Sequence, residues 1–137
     1  MIKILNQDIV FDEVRKIYTV GGDYMIDYHG IRCKSNMELP LEEISLKQQS
    51  RALIFTSQLK QTERRQGAIC SYGLKHRVER YSLNVLGKTH ENNEVYCSNG
   101  SLIGAMVQSG FNLWLDGDIS LNCCFNYSKR SLNGLLR

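Results

Sequence analysis

Pro40-Leu-Glu-Glu-Ile-Ser-Leu-Lys-Gln-Gln-Ser-Arg-Ala-Leu-Ile-Phe-Thr-Ser-Gln-Leu-Lys-Gln-Thr-Glu-Arg-Arg-Gln-Gly67 is the stretch on which the fold class turns. Leu41, Ile44, Gln48, Ala52, Phe55 and Leu59 recur three or four residues apart, one face of an α-helix with a single polar interruption at Gln48. Pro40 suits a first helical turn, where its missing N–H would have had no partner. Glu42 and Glu43 open the segment and Lys60, Arg64 and Arg65 close it, charges that complement a helix dipole, with Gly67 placed as the stop. The pattern predicts one amphipathic helix reaching the Arg64-Arg65 pair.

Upstream of it the period changes to two. Ile2–Leu5 is a short strand candidate, and Lys16–Val20 and Asp23–Tyr28 are β-prone runs separated by Gly21-Gly22, a hairpin signal. His29-Gly30 can turn the chain into a third strand at Ile31–Lys34, and Tyr24, Ile26 and Tyr28 form one apolar face. Asp8–Val14 fits either a strand or a short helix. Downstream, a second helix is predicted from Ser71 as N-cap, with Leu74, Val78, Tyr81 and Val85 on one face and Gly87 as its end. Lys88–Glu94 is a polar loop. A third helix follows Ser98-Asn99-Gly100 and stops at Gly110 with Phe111 for a Schellman contact. Asn112–Leu115, Asp116-Gly117 and Asp118–Tyr127 predict a hairpin, because an Asp-Gly pair supplies the two residues of a tight turn. Strands, about three helices and a closing hairpin make an α+β chain: one domain over residues 1–137, a largely antiparallel sheet with helices on one face.

Composition agrees. The 137 residues are 42% hydrophobic and 23% charged, with one proline, which excludes disorder and low complexity. No run of about 18 apolar residues exists, and Met1–Glu13 carries acids where a signal peptide needs a basic start and an apolar core, so a membrane location and export are not expected and the cytoplasm is. The five cysteines, Cys33, Cys70, Cys97, Cys123 and Cys124, are odd in number and without CxxC spacing, so reduced thiols are expected. Adjacent Cys123 and Cys124 read as one core residue and one outward residue.

The net charge of +3 conceals an uneven distribution. Residues 47–80 hold Lys47, Arg51, Lys60, Arg64, Arg65, Lys75, Arg77 and Arg80 against Glu63 and Glu79, a local balance of +6. A basic face on two consecutive helices can track a nucleic-acid backbone. In that reading Lys60, Arg64, Arg65, Lys75, Arg77 and Arg80 contact phosphates of DNA or RNA and Tyr72 stacks on a base. The competing reading makes the same cations a solvated helix surface. The second and third helices are not a helix-turn-helix, because Gly87–Cys97 is too long a turn and the third helix has no Lys or Arg.

Candidate chemistry is sparse. His76 stands with Glu79 and Arg80 on one helical flank, where a carboxylate can orient an imidazole as a general base, or where all three form a surface ion cluster. Cys70, His76, His90 and Cys97 have gaps wider than a usual zinc site. His90-Glu91-Asn92-Asn93 lacks the second histidine of an HNH nuclease, and His29 is most simply a turn residue. No P-loop, GxGxxG, GxSxG or HExxH occurs, so no cofactor or metal is expected.

Three phrases carry a resemblance: Ser71-Tyr72-Gly73-Leu74-Lys75-His76 with Glu79, Ser98 to Ala105 through Gly110-Phe111, and Asn122-Cys123-Cys124-Phe125-Asn126. Over residues 71–127 the chain resembles a loose set of small accessory proteins of prophages, plasmids and other mobile elements, to which no activity attaches. The resemblance implies a nucleic-acid binder or a protein that blocks a host nucleic-acid or defence enzyme, and favours both over an enzyme. In the second case the acidic run from Glu91 to Asp118 would mimic phosphate, or the basic face would meet an acidic partner. A small nuclease built on His76 and Glu79 is the third reading. A C-terminal strand at a sheet edge would leave a homodimer open.

Overall fold

The 40–67 stretch is not one element. In the computed structural model, which describes residues 2–33, 38–115 and 121–135, with the Ile44 side chain excepted, the helix α1 spans Glu43–Thr56 and stops there. Residues 57–59 turn the chain, Leu59 enters the core, and Gln61–Gln66 forms a strand instead of a helical end. The correction has a physical reason. The six polar residues of that strand bury neither face, so no apolar period marks them, and their backbone is taken up by the C-terminal strand, with a register irregularity between Gln61 and Gln66.

The strands form two antiparallel sheets rather than one. In chain order they are β1 (Lys3–Ile4), β2 (Ile9–Asp12), β3 (Ile17–Val20), β4 (Tyr24–Asp27), β5 (Gly30–Cys33), β6 (Gln61–Gln66), β7 (Leu113–Leu115) and β8 (Cys123–Tyr127). The first sheet runs β1-β7-β8-β6 and the second is the meander β2-β3-β4-β5. Asp8–Val14 is thus a strand at its centre, not a helix. The Gly21-Gly22 hairpin is present between β3 and β4, but Val20 pairs with Tyr24, so its loop has three residues, Gly21-Gly22-Asp23, with both glycines at positive φ. The Asp116-Gly117 turn and Lys34 lie outside the described residues, although β7 and β8 do pair antiparallel. Because β6 covers the far side of β8, the C-terminal strand is internal and offers no edge to a second copy.

Among the described residues the α-helices are four: α1, α2 (Ser71–Asn84), α3 (Asn99–Gln108) and α4 (Lys129–Leu135), the last being the tail beyond the hairpin. Cys70 rather than Ser71 occupies the N-cap of α2, and Val85 is half-exposed rather than packed. The helix α3 starts at Asn99, earlier than expected, with Ser98 as its N-cap: the Ser98 Oγ accepts from the Ser101 N–H at 3.0 Å, and Phe111 N–H closes the helix on the Met106 carbonyl. Nearly every residue of α3 is buried. It packs on α1, α2, β4 and β5, and Gln48, the polar interruption in the α1 face, accepts the Ser98 N–H at 2.8 Å. At Gly100 the α3 backbone lies so close to the Asp27 carbonyl that a Cβ would overlap it. That approach sets the start of α3 against the β4–β5 turn.

Cys70 and Cys124 form a disulfide, contrary to the expected reduced thiols. They are 54 residues apart in sequence, a distance no local spacing announces, but the N-cap of α2 sits over β8 with their Cα atoms 4.4 Å apart. The two adjacent cysteines do face opposite sides of β8, yet both are buried, because the outward side is covered at Cys70.

Candidate functional site

At about 100° per residue, α2 presents Leu74, Val78 and Tyr81 to the core and divides its polar residues between two flanks. Tyr72, His76, Glu79 and Leu83 share one flank, and Arg77 lies on the other, near Tyr127 of β8. The first flank faces the segment from His90 to Asn99. That segment is held from both sides. On α1, Arg51 donates to the carbonyls of Asn93 and Tyr96. On α2, Glu79 Oε2 accepts the Cys97 N–H at 3.1 Å.

An open groove of about 760 Å³ results, bordered by Tyr72, Lys75, His76, Glu79, Arg80, His90 and Tyr96. It continues past Tyr72, Lys75 and Tyr96 into a second hollow of about 400 Å³ lined by Tyr28, His29, Asn99 and Asn122. The end wall is tied together by the Asn99 side-chain amide, which donates to the carbonyls of His29 and Leu121 and to Asn122 Oδ1 at 3.1–3.2 Å. Asp27, fully buried, fixes the turn that carries Tyr28 and His29 by accepting the N–H groups of His29 and Leu39 and pairing with Arg32. The three phrases that carry the resemblance, distant in sequence, therefore meet along one groove.

Lys75 is the centre of it. Only 6% of Lys75 is exposed, its Nζ lies 3.1 Å from Glu79 Oε2, and it stands 4.6 Å from the Tyr96 ring centre and 5.7 Å from that of Tyr72. The ion pair and the two ring faces replace the water that burial removes from the ammonium. His76 Nδ1 is 2.9 Å from the other Glu79 oxygen. A carboxylate only accepts, so Nδ1 carries a proton in this contact and Nε2 is the ring nitrogen left to the groove. The Tyr72 ring meets the His76 ring edge-on at 4.6 Å. Burial raises the Tyr28 phenol, and its hydroxyl contact with Tyr96 adds to the shift. Burial also pushes the Cys97 thiol up to about 12, helped by the Glu79 carboxylate, so this cysteine is a poor nucleophile.

The residues predicted to bind nucleic acid separate into two groups. Tyr72, Lys75 and Arg80 border the groove. Lys60, Arg64 and Arg65 do not belong to a helix. Arg64 and Arg65 are exposed on β6, the edge of the first sheet, and Lys60 precedes it, its N–H donating to Ser131 Oγ. Arg77 faces away from the groove. The continuous two-helix basic face is thereby corrected: the stretch after Leu59 is a strand, and α2 turns Arg77 to its far side. Lys47 pairs with Glu43, and Arg51 is spent on the loop carbonyls. Of the acidic run from Glu91 to Asp118, Asp116 and Asp118 lie outside the described residues.

Tyr96, Tyr28, Asn99 and His90 were not singled out as groove residues by sequence. The signal was present only as Tyr-Cys-Ser-Asn-Gly beside a cap and His-Gly beside a turn, and nothing local says that the two meet. Among the described residues no group of three or more His, Cys, Asp or Glu could hold a metal ion. His76 and His90 share the groove, but Cys70 is bonded to Cys124 and Cys97 is enclosed. Among the described residues no helix is long and apolar enough to cross a membrane. No protein-family profile, curated protein or solved structure matches the chain.

Proposed function

We propose that this chain binds single-stranded nucleic acid in the α2 groove, in the setting of a mobile element and in the cytoplasm, where its ligand would be. The observation that supports the reading is the placement of the Lys75 ammonium between the rings of Tyr72 and Tyr96, which are themselves about half exposed at 55% and 46%. Exposed tyrosines beside a cation are a surface on which unpaired bases stack while the backbone phosphates meet positive charge. Arg80 adds a second cation on the same border, and a duplex, whose bases are already stacked, would gain nothing from the rings. The β6 edge, with Arg64 and Arg65, contributes long-range attraction rather than contacts.

Fluorescence polarisation with a 12-nucleotide labelled strand tests this. Affinity should fall about tenfold or more between 50 and 200 mM salt, as expected for roughly three phosphate contacts. Tyr96→Ala should weaken binding by about tenfold, the loss of one stacked base, whereas the double substitution Arg64→Glu, Arg65→Glu should change it about twofold at 200 mM salt. Absence of binding at low salt, or a Tyr96→Ala variant that binds like the parent, overturns the proposal.

A further inference from the structure

Binding leaves part of the groove unexplained. Two imidazoles and an ammonium, His76, His90 and Lys75, border a single cavity of about 760 Å³, and one imidazole is held by a carboxylate at 2.9 Å. A surface that only stacks bases has no use for an imidazole whose tautomer is fixed. The Glu79 bond commits Nδ1 of His76 as donor, and 49% of the His76 side chain remains open to the groove and solvent. This is the arrangement of a base ready to accept a proton at Nε2, with the carboxylate stabilising the imidazolium that forms.

From this we infer that the groove cleaves RNA, without a metal ion, by attack of the ribose 2′-hydroxyl on the neighbouring phosphate. The inference rests on the binding proposed above and narrows its ligand to RNA. Nε2 of His76 takes the 2′-hydroxyl proton as the 2′-oxygen forms its bond to phosphorus. The bond from phosphorus to the 5′-oxygen breaks, its electron pair stays on that oxygen, and the protonated ring of His90 delivers the proton that completes the 5′-hydroxyl. The products are a 2′,3′-cyclic phosphate and a 5′-hydroxyl end, with no atom gained or lost and no redox change. Water adding to the cyclic phosphate in the reverse sense returns both imidazoles to their starting protonation. The positive charge of the groove, exposed Arg80 at its border and Lys75 beneath the rings, offsets the charge that develops on the non-bridging oxygens. Tyr72 and Tyr96 hold the flanking bases, so the scissile phosphate lies between them.

The experiment uses the full chain at saturating concentration with three labelled strands of one sequence: RNA, DNA, and DNA carrying a single ribonucleotide. Cleavage is followed on a denaturing gel in EDTA, and binding of the all-DNA strand is followed by polarisation. Expected are cuts in RNA, one cut 3′ to the single ribonucleotide, a cyclic phosphate end, and an intact DNA strand that is nevertheless bound. His76→Ala and His90→Ala should each slow cutting by 100-fold or more, the usual contribution of a general base or acid. DNA bound while RNA stays intact, or cutting at parental rate by both histidine variants, overturns the cleavage and leaves the binding standing. No binding of any strand at low salt overturns both. Both histidines are exposed, and a far-UV spectrum checks that the variants are folded.

Discussion

Glu79 accepts from three donors, the Lys75 ammonium, the His76 ring and the Cys97 backbone N–H, and so joins helix, groove and loop at one carboxylate. Cys97, next to it, is fully enclosed. Its thiol is raised from 9.0 to about 12 chiefly by burial, and the Tyr127 phenol from 10.0 to about 12 by the same cause. Raised values of this kind make stability depend on alkaline pH. Between roughly pH 9 and 12 the unfolded chain has lost protons that the folded chain retains, so stability is complete below pH 9 and declines as pH rises toward 12. Thermal melts at pH 8, 10 and 11 should show that decline, and Tyr127→Phe should flatten it above pH 10. A melting temperature constant from pH 8 to 11 is incompatible with these two buried groups. At this scale the sequence was legible where one residue speaks for itself, as Gly21 and Gly22 do in turning β3 into β4. It was silent on Gln48 and Asn99, whose partners lie 50 residues away at Ser98 and 70 residues away at His29.

The element that most altered the picture is β6. Gln-Thr-Glu-Arg-Arg-Gln has good helix propensity and charges suited to a helical end, yet tertiary pairing with β8 prevails, aided by the Asn126 amide donating to the Thr62 carbonyl at 2.8 Å. A charged edge strand also resists pairing with other chains. Helix α3 shows the opposite case: its apolar run and its stop at Gly110 agree with the sequence, and only its start, at Asn99, comes earlier than read. The disulfide belongs to this scale too, because it fastens the first turn of α2, with Tyr72 and Lys75, to the central strand β8. Closing a 54-residue span should stabilise the fold by about 4 kcal/mol. Urea denaturation with and without reductant measures it, and Cys70→Ser should reproduce the reduced value. Equal midpoints in all three samples would show that the bridge does not hold α2. Strand binding measured with and without reductant shows whether the bridge shapes the groove.

Across the whole molecule, the two sheets are not independent bodies. Residues of both, with α1, α2 and α3 between them, belong to one apolar cluster, among them Val20 and Ile26 from the meander and Leu113 and Phe125 from the other sheet. Unfolding should therefore be a single transition. Trp114, the one tryptophan, reports on β7 alone, whereas far-UV circular dichroism reports on every element. The two signals should change at the same urea concentration, and separated midpoints would show that the sheets melt apart. The α+β class and most strands could be read from periodicity. The division into two sheets could not, since pairing of β1 with β7 across about 110 residues leaves no local mark. That pairing also fixes an order of events at the ribosome. The meander is complete once residue 33 has emerged, because every connection in it is local. β1, synthesised before it, finds its partner among the described residues when Leu113–Leu115 appears, so it waits unpaired through most of translation. One strand of the first sheet is thus made early and assembled last, and the groove, whose end wall includes Asn122, forms only after nearly the whole chain is outside.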